Sequence, residues 1–539
     1  MFRHPKCRQS LRRGFGTQLA QNYLKRNKPY TNTLGTIKKS SMKIYIVVLL
    51  SIFTLSCKAQ REVEYLTKSQ IENDLSILGE ILEDKSSYQG LNGFDYKAGF
   101  KEYLETIENN KITQFDFGLF LAKTIGKIGD RHSYIKDYDV RDSLFLNIAF
   151  APFKNKVLVV DYKQSKKEYD FRDSEFPYLH SINNIPIEHI LPKILVGEVN
   201  SPKEAYRINA VRELRDVETI FRTLEMQLPN PLPITLINEK GNKKEINLNL
   251  VNRKNRARLW DERFYSKSFR VKEEQYNNKE FIQRFFSLKN NIGYIQIGEM
   301  LEKESTLIFF KYLNDFMVES EKSEALIIDV RDNGGGTRDL IQELAGYFIP
   351  RDSIYVVNAT KQRGKLPLNK ELKERLHSRY LYAKSELDIR EQKAVDKFMK
   401  SFKPMYDLSK DKFSEYHFYI LNGQKITKDK FHYNKPIYIL ANERSFSAAS
   451  VLVSVFKDLP NIKIVGVNTD GSSGNSQRFE LPNSELRGKI STMVSFQKNG
   501  KILDGIGTEP DIVIERSLDQ IFMKEDYQLN RLLEIIKTE

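Results

Sequence analysis

Apolar residues recur at helical spacing from about Leu66 to Ile128. In "IENDLSILGEILED" and "FDFGLFLAKTIGKIG" they fall three and four positions apart, which predicts helices with one buried stripe. The pattern changes from about Leu144 to Val251. Short β-like runs follow one another there: "FLNIAFAPF", "KVLVVDY", "PYLHSINNIPI" and "PITLINEKGNKKEINLNLV". "KKEINLNL" alternates with period two, the mark of a half-buried strand. One helical stretch, "EAYRINAVRELRDVETIFRTL", interrupts them. Charged residues around Arg253–Lys279 read as a connector. From "NIGYIQIG" onward, continuous apolar runs alternate with helical ones: "ALIIDV" then "RDLIQELAGYF", "PIYILA" then "SAASVLVSVF", then "IKIVGV". Strands without a polar face, alternating with helices, predict an α/β domain whose sheet is covered on both faces. Residues from about 361 to 430 are polar, rich in Lys and Glu, and read as a largely helical insertion.

The expected organisation is therefore an upstream segment over 1–60, a small helical domain over 61–140, a β-rich domain over 141–255 and a connector over 256–290. The α/β domain follows over 291–539. A chain of 539 residues with 40% hydrophobic content can bury more than one core.

The net charge of +15 first suggests a nucleic-acid or membrane partner, but its location argues otherwise. Residues 1–60 hold twelve of the 86 Lys and Arg and no acidic residue. The rest, 74 basic against 71 acidic, carries a net charge of only +3. No basic face with interleaved aromatics stands out, so nucleic acid is not an expected partner. "MKIYIVVLLSIFTLSC", from Met42 to Cys57, has a charged start and an apolar run too short to span a membrane as a mature helix. It reads as a bacterial export signal. Thr54-Leu55-Ser56-Cys57 resembles a lipobox, with Thr54 where Leu is usual, so Cys57 is a candidate lipid anchor to the outer membrane. Cleavage after Ala59 is the alternative, and Met42 is a candidate true start. The expected location is the cell envelope or outside the cell. The two cysteines, Cys7 and Cys57, both precede the expected mature body. That body has no thiol nucleophile, disulfide or Cys-ligated metal. No metal or cofactor is expected.

Three segments carry candidate chemistry. "IGDRHSYI" contains His132, which read alone is more often structural than catalytic. In "IIDVRDNGGGTRDL", Asp329 ends a buried strand, and Gly334, Gly335 and Gly336 form a loop before a helix. Such a loop exposes N–H groups that can hold an anion, or it is simply a tight turn. No Lys follows at the spacing of a phosphate loop. In "IYILANERSFSAASVLVSVF", Ser447 stands where a buried strand enters a helix. It is either a helix N-cap or a nucleophile at the positive end of the helix dipole.

Together, "DVRDNGGG", "SFSAAS", "GVNTDGSSG" and "DGIGTEPD" resemble the ordered motifs of the tail-specific, or C-terminal-processing, serine peptidases. The resemblance covers most of residues 66–535. It implies a helical front segment, a PDZ-like domain and a crotonase-like α/β catalytic domain. "FPYLHSINNIPIEHIL" resembles part of the PDZ-like domain. One branch of the family uses a Lys base in the motif written here "GVNTDGSSG". That position corresponds to Ser472, and no Lys lies between Lys463 and Lys489. The other branch, similar to the tricorn core and to retinoid-binding repeats, takes a His from a segment matched by "GDRHS". This resemblance implies His132 as base, Ser447 as nucleophile and Asp504 as the acid that orients the imidazole. Arg131 replaces the second serine of the tricorn enzyme. The N–H groups of Ala448 and Gly335 are the implied oxyanion hole.

Ser445 and Ser450 are alternative nucleophiles displaced by motif register. Asp130, two residues from His132, is expected to point away from its ring. His180, His189, His377, His417 and His432 read as structural, and Asp511 as a turn residue. The implied function is a serine endopeptidase acting on envelope or extracellular proteins, with a protein or peptide substrate. The alternatives are a non-catalytic ligand- or peptide-binding protein on the same scaffold, and an esterase.

Overall fold

The computed structural model describes residues 65–538 except 108–110, 139, 141 and 263–278. The export-type segment, Met42 and Cys57 lie outside the described residues. Residues from Leu66 onward form one unit.

Three helices lead the chain: α1 (Lys68–Lys85), α2 (Tyr96–Glu105) and α3 (Gln114–Ile128). Each start is chemically marked. Thr67 and Gln70 form a capping box on α1, Asp95 caps α2 and Thr113 caps α3. The apolar stripe of α1, namely Ile71, Leu75, Leu78 and Leu82, is buried. Gly129 ends α3 at φ 106°, the left-handed conformation that glycine adopts without strain. Strand β1 (Tyr134–Lys136) follows at once.

The middle module is an antiparallel sheet with three helices on one face. Its elements are β2 (Ala149–Phe153), β3 (Lys156–Lys163), β4 (Glu168–Phe171), β5 (Tyr178–Ile182), α4 (Ile187–Ile194), α5 (Lys203–Glu213), α6 (Val217–Thr223), β6 (Leu232–Ile237) and β7 (Lys243–Leu248). The main order is β7-β6-β5-β3-β2, with β4 beside β3. Val157 and Val159 of β3 face α4, α5 and α6, while Leu158 and Val160 face Trp260, Ile521 and Phe522. Both faces are covered, which is why "KVLVVDY" lacks a polar alternation. The expected single helical stretch over 204–224 is two helices, broken at Leu214–Asp216.

The third region holds three sheets. The first joins β8 (Phe286–Lys289), β9 (Ile292–Gln296), β10 (Ala325–Asp329), β14 (Ile437–Ala441), β15 (Ile462–Gly466) and β19 (Ile512–Val513) in that order. It is mixed, since β8 runs antiparallel to β9 and the other neighbours are parallel. Ile328, Ile439 and Ile464 pack among α7 (Leu307–Glu319), α8 (Asp339–Phe348) and α11 (Ala448–Phe456). Ile327, Tyr438, Leu440 and Val465 pack against α12 (Tyr527–Thr538). The expectation of a sheet covered on both faces is met.

A second, antiparallel sheet has the order β12-β13-β11-β18, from β11 (Ile354–Gln362), β12 (Leu381–Ala383), β13 (His417–Asn422) and β18 (Met493–Gln497). The region from 361 to 430 is therefore less helical than expected. It carries α9 (Lys370–His377) and α10 (Ile389–Ser401), but β12 and β13 are built into this sheet. The six residues of β13 are all buried, a short apolar run masked by its polar flanks. The third sheet is β16-β17-β1, from β16 (Ser476–Glu480), β17 (Arg487–Ser491) and the strand that follows His132.

Trp260, the chain's one tryptophan, closes the outer face of the middle sheet and donates from Nε1 to the Ile521 carbonyl at 2.9 Å. Trp260→Ala is expected to lower stability by about 3–5 kcal/mol through the cavity it leaves. Denaturant unfolding followed by circular dichroism measures it.

Candidate active site

Asp329 closes β10, and the chain turns through Asn333 and the glycine loop. The neighbouring strand β14 ends at Ala441, and after a turn through residues 442–446 Ser447 stands immediately before α11. Two hydrogen bonds join these loops: Phe446 N–H donates to the Asn333 carbonyl at 2.8 Å, and Asp332 N–H to Asn442 Oδ1 at 3.0 Å. Ser447 has φ 54° and ψ −121°, a conformation that non-glycine residues rarely adopt. Such strain persists only where surrounding contacts enforce it, and it is common at nucleophiles on strand-to-helix turns. The Ser447 N–H is held by Ser472 Oγ at 2.7 Å. Gly335 must lack a side chain, because a Cβ there would lie 2.6 Å from Ser447 Cβ.

His132 arrives from the front of the chain. Strand β1 pairs with β17, placing Ile135 opposite Gly488 and Tyr134 opposite Lys489. The turn before it is fixed by Asp130, whose Oδ1 accepts the N–H of His132 at 2.8 Å and of Ser133 at 2.6 Å. Asp130 thus turns back on the backbone rather than onto the ring. Arg131 is buried between Asp470 at 2.8 Å and Glu198 at 3.2 Å. The result is His132 Nε2 3.4 Å from Ser447 Oγ. The Phe446 ring lies 5.4 Å from the imidazole, centre to centre.

On the other side of the ring, His132 Nδ1 is 3.5 Å from Asp504 Oδ1, an approach at the outer limit of hydrogen bonding. Asp504 is fully buried. It accepts from Tyr88 Oη at 3.1 Å, Ser473 N–H at 3.2 Å and Ser473 Oγ at 2.7 Å. Burial pushes the Tyr88 phenol well above its usual pKa, and the Asp504 charge adds to this, so Tyr88 stays a donor. Burial also draws the His132 pKa below 6.5; Asp504 opposes that shift and Lys489 reinforces it. The imidazole is therefore neutral near pH 7, the form that can take a proton.

The five residues singled out in the sequence converge here. Ala448 opens α11, so its N–H has no intrahelical acceptor. The Gly335 N–H instead donates to Asn333 Oδ1 at 2.8 Å, so in this conformation it does not face a developing oxyanion. The alternative serines are buried and engaged elsewhere: Ser445 Oγ donates to the Val330 carbonyl at 2.8 Å, and Ser450 Oγ meets Thr469 Oγ1 at 3.2 Å. Asp511 braces β15 by accepting the Ile464 N–H at 2.8 Å. His377 pairs with Glu386 at 3.1 Å, and the rings of His417 and His432 face backbone carbonyls.

Sequence reasoning missed the groups that hold Asp504 and Ser447. Ser472 and Ser473 lay in a quoted motif but carried no assigned role. Tyr88 gave no signal, since a tyrosine on a helical module looks like core. Among the described residues no group of His, Cys, Asp and Glu could hold a metal ion, and no helix is long and apolar enough to cross a membrane.

Residues 291–514 match peptidase family S41. A stretch of 94 residues is 28% identical to an uncharacterized protein of Chlamydia muridarum, covering 17% of this chain and 16% of that protein. Another of 96 residues is 30% identical to a carboxy-terminal-processing protease of Bartonella bacilliformis, covering 18% of this chain and 22% of that one. The chain thus aligns with well under two thirds of the length of these relatives. The fold is similar to that of mature CPAF, with TM-score 0.58 and 16% identity over 87% of this chain and 99% of that one. It is equally similar to mature CPAF complexed with lactacystin, with TM-score 0.57 and 16% identity over 87% of this chain and all of that one. At this identity the likeness is one of fold. The family match covers residues 291–514, fewer than half of the chain's 539 residues.

Proposed function

We propose that the chain is a serine endopeptidase of the His-base type, with Ser447 as nucleophile, His132 as general base and Asp504 as the orienting acid. The carrying observation is the 3.4 Å approach of His132 Nε2 to Ser447 Oγ, two groups 315 positions apart in the chain. Ser472 supports the choice of base. It stands where the other branch places Lys, and it holds the nucleophile's backbone.

In this reading Ser447 Oγ attacks the carbonyl carbon of a peptide bond while its proton passes to His132 Nε2. The C–N bond then breaks as the imidazolium returns that proton to the leaving amine. Water, activated by the same imidazole, releases the acyl group. Asp504 stabilises the imidazolium through Nδ1, and closure over a substrate shortens the two long contacts. Ala448 N–H receives the oxyanion at the positive end of α11. Gly335 N–H joins it once Asn333 Oδ1 lets go.

The middle module is a PDZ-like domain in this proposal, and the third region a crotonase-like catalytic domain. The export-type segment assigns the enzyme to the cell envelope or exterior, with Cys57 as a lipid anchor, and its substrates to proteins there.

Wild-type protein is expected to be labelled by a fluorophosphonate probe. Ser447→Ala abolishes labelling, and His132→Ala slows it by at least about a thousandfold. A folded wild-type protein that resists the probe would retire the peptidase reading in favour of a binding protein. Mapping of cleaved peptide bonds in envelope proteins then separates peptidase from esterase.

The labelling rate should also fall on the acid side as His132 takes a proton. Because burial disfavours the imidazolium, the midpoint of that limb is expected below pH 6.5. Rates measured from pH 4.5 to 8.5 check the sign; a midpoint above 6.5 contradicts it.

A further inference from the structure

The proposed mechanism leaves unused a set of buried and partly buried charges behind the nucleophile loop. They form two ladders. Arg444 Nη1 meets Asp261 Oδ1 at 2.9 Å, and Arg444 Nε meets Asp332 Oδ1 at 2.7 Å. In the second ladder, Arg516 Nε meets Glu262 Oε1 at 2.7 Å, and its Nη2 meets Glu443 Oε1 at 2.8 Å. Adjacent residues of the connector, Asp261 and Glu262, thus reach adjacent residues of the nucleophile loop, Arg444 and Glu443. Arg212 on α5 completes the path to the middle module, donating from Nε to the Trp260 carbonyl at 2.9 Å and lying 3.3 Å from Asp261 through Nη2.

Buried ion pairs are inefficient stabilisers, because desolvation cancels most of their attraction. Their strength is directional: each fixes two side chains in one geometry. Here the geometry in need of fixing is three residues away, where Ser447 holds its strained backbone. Asp332 itself sits at φ 60° in the loop that leads to Gly335. The Arg444 ladder therefore grips both loops that border the site, and the Glu443 ladder grips the nucleophile loop a second time.

We propose that Asp261 and Glu262 are positioning residues that hold the nucleophile loop in its reactive conformation and link it to the middle module. The proposal rests on the reading of Ser447 as nucleophile. Its test has one readout independent of that reading.

Asp261→Asn and Glu262→Gln are made singly in the full chain, with Asp173→Asn as control. Asp173 forms a surface pair with Lys244 at 2.7 Å in the middle module. Hydrogen–deuterium exchange is followed on peptides spanning residues 441–456, and fluorophosphonate labelling is followed in parallel. Exchange at the amides of Ser445, Phe446 and Ser447 is expected to rise by about tenfold or more in each variant, while peptides of α1 and α3 stay unchanged. Labelling is expected to slow by about tenfold, with the control matching wild type. Unchanged exchange at these amides in a folded variant overturns the proposal, whether or not wild type labels. Faster exchange with undiminished labelling overturns it too, since reactivity is then set elsewhere. If wild type itself does not label, the peptidase reading falls and exchange alone judges the ladders. Should Asp261→Asn fail to fold, Glu262→Gln decides. Should both fail, the ladders serve general stability and the proposal is overturned.

Discussion

A three-residue strand decides where His132 stands. Pairing of β1 with β17 fixes the backbone of Tyr134–Lys136 against the hairpin β16–β17, and the imidazole lies two residues before it. Ser133 strengthens the join, since its Oγ accepts the Ser491 N–H at 2.9 Å. The helical module adds a second anchor: Asp74, fully buried on α1, accepts the Ser484 N–H at 2.9 Å and the side-chain amide of Asn483 at 2.8 Å. Small deviations in this register would carry the ring away from Ser447, because a one-residue slip reverses every side chain of a strand.

The electrostatic design follows from that placement. The imidazole is buried deeply enough to stay neutral, yet it faces a carboxylate that favours its charged form. These opposing influences suit a base that must accept a proton and then surrender it. Asp504 is kept as an acceptor by neutral donors, Tyr88 and Ser473, rather than by a cation that would neutralise its effect on the ring. Arg131 is the nearest neighbour of His132 in sequence, but its charge is turned toward Asp470 and Glu198.

Much of the architecture was legible because both covering layers impose a pattern. "ALIIDV", "PIYILA" and "IKIVGV" are strands of the mixed sheet, and their lack of alternation comes from helices on either side. In the middle module β3 was legible for the same reason, while β7 showed itself by its alternation. What stayed hidden were short elements whose own or flanking residues mask the pattern. Ile187–Ile194 forms a helix with Pro192 inside it, and β13 occupies six residues within a polar stretch. At the site, motif order pointed to His132, Ser447, Asp504, Ala448 and Gly335, which the fold brings together. Motif order could not reveal that Asn333 holds the Gly335 N–H, because that depends on a side-chain rotamer. Nor could it reveal Tyr88, whose relation to Asp504 exists only once front and back of the chain have met.

The wide separation of the parts also orders events during synthesis. The imidazole is made first, the hydroxyl 315 residues later, and the hairpin that receives the imidazole's strand later still. A nascent chain on the ribosome can therefore carry His132 and Ser447 without the surface that unites them. The meeting of imidazole and hydroxyl therefore comes late, once the hairpin β16–β17 is available to pair with β1.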